Sequence, residues 1–195
     1  MSPYFQTHHV AGLLLTVISL AWSAMELAHA GNQREGATRV GGFGRWFIIV
    51  PCLAAGVALL YLIPHIAASA TIRPGIAAFV PGIVIIVAGL ILRGWSVKVL
   101  GDYFTGTVMV SADQPVIDTG PYRVLRHPSY AGFVLACAGV GLASANWVAL
   151  AAMTLLPLAA FLLRIRTEER ALMATLGDRY RSYAAHTKRL VPLVW

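Results

Sequence analysis

Between Arg126 and Arg164 the chain runs through residues 127–163, 37 in all, without one Asp, Glu, Lys or Arg. A helix that crosses a bilayer needs about 20 mostly apolar residues, so this stretch is too long for one helix and about right for two. Ser144, Ala145 and Asn146 supply turn chemistry in its middle. The stretch therefore predicts a helical hairpin, with arms over about Tyr130–Ala143 and about Trp147–Leu163. In such a hairpin the start of the first arm and the end of the second lie at one membrane depth. Residues far apart in sequence become neighbours there.

Three further apolar segments precede the hairpin: His9–Ala28, Trp46–Ala68 and Ile76–Leu92. The chain is 58% apolar and 12% charged, against about 45–50% and about 25% in soluble domains. That balance excludes a water-soluble globule, a disordered tail and a collagen-like repeat. It predicts an all-α, polytopic membrane bundle of five transmembrane helices forming a single domain over residues 1–195. Cys52 and Cys137 each sit in an apolar run and define no disulfide framework.

The basic residues give the expected orientation. Fourteen of the fifteen fall on one side of the five spans: in the first loop, in the segment after the third span, and after the fifth. Only Arg73 falls opposite. The bias of Lys and Arg toward the cytoplasm puts the N-terminus outside and the C-terminus inside. The net charge of +7 then reports orientation and contact with anionic lipid rather than nucleic acid. No Lys or Arg precedes the first apolar segment, and no convincing cleavage pattern of small residues is present. It reads as a retained helix.

Small residues recur at Gly132, Ala136, Gly139 and Ala143, one face of a helix. Such a seam lets a second helix approach closely in lipid, a reading favoured over a cofactor cleft. Pro51, Pro64 and Pro81 are candidate kinks.

Nearly all the polar information lies on the inner side, in Gly120–Tyr130 and in Arg164–Arg170. Each part has a plain structural reading. Arg126, Tyr130, Arg164 and Arg166 suit headgroup anchors. Pro128 suits a first helical turn, His127 a cap, and Glu168 with Arg170 a solvated face. These readings do not explain why His, Tyr, two Arg and two Glu should converge at one end of a hairpin. Their convergence predicts a tight pocket at the cytoplasmic side. No phosphate loop, dinucleotide fingerprint, Ser-His-Asp order or Cys/His metal spacing appears. Glu26 and His29, one helical turn apart, form an intramembrane ionisable pair.

The two inner motifs resemble the isoprenylcysteine carboxyl methyltransferase family, integral-membrane enzymes that use S-adenosylmethionine. The resemblance rests on Leu100–Phe104, Gln114–Tyr122, Arg126–Gly132, Asn146-Trp147, Arg164–Glu169 and Gly177–Tyr180, about the last hundred residues. It divides the chain into generic helices 1–3 over residues 1–99 and a methyltransferase core over 100–195, with helices 4–5 and a C-terminal amphipathic segment. It implies that Gln114, Pro115, Val116, Ile117, Tyr122, His127, Pro128, Ser129 and Tyr130 line the cofactor pocket. It implies further that Glu169 holds the cofactor's ammonium group and that Arg164 holds the acceptor, which makes these two the catalytic candidates. Gln114 stands where the family often has His.

Residue chemistry agrees with carboxyl methylation. A carboxylate, with a pKa near 4, is ionised at neutral pH and needs no general base. It needs a planar fork to orient it, which Arg164 can supply. An amine acceptor must first lose a proton, and Glu168 or His127 would have to take it. The expected activity is thus methyl transfer to a lipophilic acceptor arriving from the bilayer, an isoprenylcysteine or related isoprenoid acid. The alternatives are phospholipid amine methylation, an NADPH-dependent sterol-type reduction, and a non-catalytic lipid-binding protein.

Overall fold

The computed structural model of the protein describes residues 4–28, 38–39, 49–51, 54, 62, 67–72, 75–105, 107 and 109–191. After one turn at Tyr4–Thr7, α1 spans His9–Ala28, the range its hydropathy predicts. α2 is Gly75–Leu100, α3 Pro128–Ala143, α4 Trp147–Leu176 and α5 Asp178–His186. α1, α2 and α4 are long and apolar enough to cross a membrane, and α3 is a shorter apolar helix. The expected five spans therefore stand at three long helices and one short one among the described residues. The expected second span, Trp46–Ala68, lies almost wholly outside them.

Two helices outrun their apolar segments. α2 does not stop at Leu92, because Arg93 is only 2% exposed and meets a buried partner instead of water. α4 does not stop at Leu163. Arg, Glu, Ala, Leu and Met are good helix formers, and nothing interrupts them until Gly177, whose φ of +56° ends the helix. At 1.5 Å per residue its 30 residues reach about 45 Å, so the Arg164–Arg170 motif rides on the same rigid rod as the membrane arm. The turn before α4 is where the sequence places it. Asn146 caps the helix, its Oδ1 accepting from the backbone N–H of Val148 at 2.9 Å and of Ala149 at 3.3 Å.

α2 and α3 pack backbone to backbone. The Gly132, Ala136, Gly139 and Ala143 seam meets Gly82, Ile86, Gly89 and Arg93 of α2. A Cβ on Gly89 would lie 2.6 Å from the Ala136 nitrogen and the Gly132 oxygen, so only glycine fits. The small residues serve helix packing, as expected, and their register carries Arg93 up to the first turn of α3.

Two pairings fix the sides of the bundle. β1, Thr38–Arg39, pairs antiparallel with β2, Met109–Val110, which joins the first loop to the segment after α2. At the other end Thr71 bridges Asn146, and the Ile72 N–H donates to the Ala145 carbonyl at 2.7 Å. α1 and α2 run parallel, with Tyr4 on Phe79 at one end and Glu26 against Arg93 at the other. Ala28 and Gly75, which flank the connecting chain, thus lie at opposite ends of the bundle.

Candidate active site

The inner end of the bundle is built on the first turn of α3. Pro128 occupies the first helical position, where its missing N–H costs nothing. His127 precedes it and makes no side-chain cap. The backbone here is strapped by the C-terminal segment. Arg126 N–H donates to the Lys188 carbonyl at 2.7 Å, His127 N–H to the Arg189 carbonyl at 3.0 Å, and Lys188 N–H to the Val124 carbonyl at 3.0 Å.

A cavity opens between this turn, α4, α5 and the segment after α2. Gln114, Pro115, Val116, Ile117, Tyr122, His127, Ser129, Tyr130 and Arg164 all line it, so one space collects nine of the residues singled out in the sequence. Leu100, Phe104, Val110, Leu172 and Leu176 give it an apolar flank. At its polar end Arg164 Nε donates to the Tyr130 hydroxyl at 2.8 Å, and that hydroxyl donates to Glu168 Oε2 at 2.7 Å. The Tyr130 ring stacks on Phe161 with centroids 4.5 Å apart and on His127 at 5.5 Å, so its position is over-determined. Burial pushes the Tyr122 and Tyr180 hydroxyls well above their ordinary range and Tyr183 up to about 12. All three remain protonated at neutral pH, and Tyr183 donates to the Tyr122 carbonyl at 2.8 Å.

Two expected cofactor residues lie elsewhere. Pro128 is buried at the helix start and is absent from the cavity wall. Glu169 does not line the cavity either; its carboxylate accepts from Arg126 Nε at 2.7 Å and Arg189 Nε at 2.8 Å, with His127 Nε2 at 3.5 Å. Arg126 continues to the Ala184 and Thr187 carbonyls at 2.8 and 2.6 Å. Glu169 thus clamps α3, α4 and the C-terminal strap together. Helical geometry explains the difference in placement. Four residues past Arg164, Glu168 returns to the same face, whereas Glu169 lies about 140° around the helix. Periodicity alone, applied to a continuous α4, would have found it.

Other wall residues had weaker signals. Tyr180, the last residue of the Gly177–Tyr180 motif, and Tyr183 come from α5 and line the cavity; no local pattern announces Tyr183. Glu26 is buried, but its partner is Arg93; His29 lies outside the described residues. His127 Nε2 is buried and makes no hydrogen bond among the described residues.

The sequence pattern of the Isoprenylcysteine carboxyl methyltransferase (ICMT) family matches residues 82–174, from the middle of α2 almost to the end of α4. Over these residues the chain is similar to the ICMT family. Two relatives, the protein-S-isoprenylcysteine O-methyltransferases B and A of Arabidopsis thaliana, are each 30% identical over 115 residues. Each match covers 58% of this chain and 58% of the relative. A eukaryotic intramembrane Ras methyltransferase ICMT has a related fold, with a TM-score of 0.59 at 24% identity over 76% of this chain and 52% of that one. The chain thus spans little more than half the length of the proteins it resembles. The family match starts inside α2, earlier than the motif resemblance, and so takes in the α2–α3 seam and Arg93.

Proposed function

We propose that this chain is an integral-membrane methyltransferase that moves a methyl group from S-adenosylmethionine to the carboxylate of an isoprenylcysteine or a related isoprenoid acid. The observation that carries this reading is the Arg164–Tyr130–Glu168 chain, which sets a cation and a carboxylate one helical turn apart on a cavity with an apolar flank.

The residues suit the cofactor. Its sulfonium and ammonium are cationic and favour a wall that carries Glu168. Its adenine is flat and finds tyrosine rings. Its polar edges find the hydroxyls of Ser129 and Tyr130 on the same wall. The cofactor supplies an electrophilic methyl group; the chain supplies position and field. Arg164 orients the acceptor carboxylate, and its planar fork fixes both oxygens where an ammonium would fix one point. Tyr130 holds Arg164 and Glu168 at a set spacing. The strap over Arg126 and His127 closes the inner side and keeps bulk water out, which strengthens every charge interaction within. An ionised acceptor needs no base. Alignment of acceptor and methyl group is worth several kcal/mol. The Leu100, Phe104, Leu172 and Leu176 flank suits an isoprenoid tail.

The test is methyl transfer from radiolabelled S-adenosylmethionine to a farnesylated cysteine analogue in membranes that contain the protein, followed by base treatment. Volatile methanol is the expected product. Label retained after base points to an amine acceptor, and no transfer to either class overturns the reading.

A further inference from the structure

Glu26 and Arg93 join residues that no local pattern connects. Glu26 sits near the inner end of α1, before the family-matched residues begin, and Arg93 lies in α2. Each is 2% exposed. Arg93 pairs with both Glu26 oxygens, Nε to Oε1 and Nη2 to Oε2 at 2.7 Å. Trp22 Nε1 also donates to Glu26 Oε1 at 3.2 Å. A buried ion pair of this kind gives little net stability over apolar side chains of similar shape, so its other contacts are informative. Arg93 Nη1 donates to the Ser129 carbonyl at 3.0 Å and the Ser129 hydroxyl at 2.9 Å, and its guanidinium lies 5.9 Å from the Phe104 ring centre. Ser129 and Phe104 both line the cavity. The pair is therefore the layer directly behind the cavity wall.

We infer that Glu26 and Arg93 are positioning residues for methyl transfer: Arg93 pins the Ser129–Tyr130 turn, and Glu26 cancels the Arg93 charge so that the cavity accepts a cationic cofactor. This rests on the reading of the cavity as a methyl-transfer site. Arg93 stands directly against the cavity wall, since Nη1 holds the Ser129 hydroxyl and the guanidinium lies over the Phe104 ring. Without Glu26 that positive charge stands behind Ser129, in a poorly hydrated setting where charges act over several ångströms. α1 thus supplies a counter-charge to the site from beyond the matched segment.

The experiment is calorimetric titration of the purified full chain with S-adenosylmethionine and with S-adenosylhomocysteine, whose sulfur is neutral, with a melting curve for each variant. Glu26→Gln is expected to weaken the sulfonium ligand roughly fivefold more than the neutral one. The double variant Glu26→Leu, Arg93→Met removes both charges and keeps an apolar core. It is expected to melt near the wild type, to restore the wild-type ratio of the two affinities, and to bind both ligands roughly tenfold more weakly because Ser129 has lost its donor. An unchanged ratio in a folded Glu26→Gln overturns the charge role. Wild-type affinities in the double variant overturn the inference, and decide it alone if Glu26→Gln does not fold. No binding by the wild type removes the methyltransferase reading and the inference with it.

Discussion

The Glu169 carboxylate accepts a hydrogen bond from Arg126 Nε at 2.7 Å across 43 residues of sequence. Its neighbour Glu168 turns to the cavity and accepts from Tyr130. Adjacent carboxylates on one helix therefore point different ways, one clamping α3, α4 and the strap together and the other lining the cavity.

Substitution separates the two roles. Glu169→Ala removes the carboxylate that buried Arg126 and partly exposed Arg189 share, and the expected loss of stability is about 1–3 kcal/mol, read as a lower melting temperature in detergent. Glu168→Gln keeps the shape and an acceptor for Tyr130 but removes the charge. Its melting temperature is expected to hold, while affinity for S-adenosylmethionine falls roughly 10- to 100-fold.

Arg164→Lys tests the fork. An ammonium keeps the charge but cannot give two parallel hydrogen bonds to one carboxylate. The expected result is a roughly 100-fold loss in kcat with cofactor affinity little changed, measured by steady-state methyl transfer beside a binding titration.

Tyr130→Phe leaves the ring stacked on Phe161 and removes only the hydroxyl between Arg164 and Glu168. Both partners lose a fixed spacing without losing charge. Methyl transfer is expected to fall roughly tenfold in kcat/KM, with far-ultraviolet circular dichroism unchanged.

The α2–α3 seam is predicted to be intolerant. Gly89→Val drives a branched side chain into the Ala136 and Gly132 backbone, so the helices must part. The expected cost is about 1–3 kcal/mol, again read by melting. Weaker cofactor binding is expected beside it, since Arg93 reaches Ser129 through the same seam.

Much of this was legible in the sequence because hydrophobic length reports directly on helices. α1 matches its apolar run, and the hairpin turn falls at Asn146, whose capping chemistry is local. Tyr122, His127, Ser129, Tyr130 and Arg164 were legible through two motifs at the ends of one hairpin, and Gln114, Pro115, Val116 and Ile117 through the family resemblance. The ends of α2 and α4 were not, because a charge ends an apolar run without ending a helix. Arg93 continues one because Glu26 waits 67 residues away, and the Arg164–Arg170 segment continues the other through helix propensity. That Glu168 faces the cavity and Glu169 the strap was not legible, because a motif read as a string carries no angle. The α3 half of the glycine seam was visible from close spacing; Gly82 and Gly89, seven apart, gave their half less clearly.

Photolabelling tests the central claim most directly. Ultraviolet irradiation of the protein with methyl-labelled S-adenosylmethionine, followed by peptide mapping, reads which residues touch the cofactor. The expected label falls on peptides carrying residues 114–130 and 164–183 and disappears in excess S-adenosylhomocysteine. Label confined to α1, or label that the competitor leaves in place, contradicts the assignment of the cavity between α3, α4 and α5 as the methyl-transfer site.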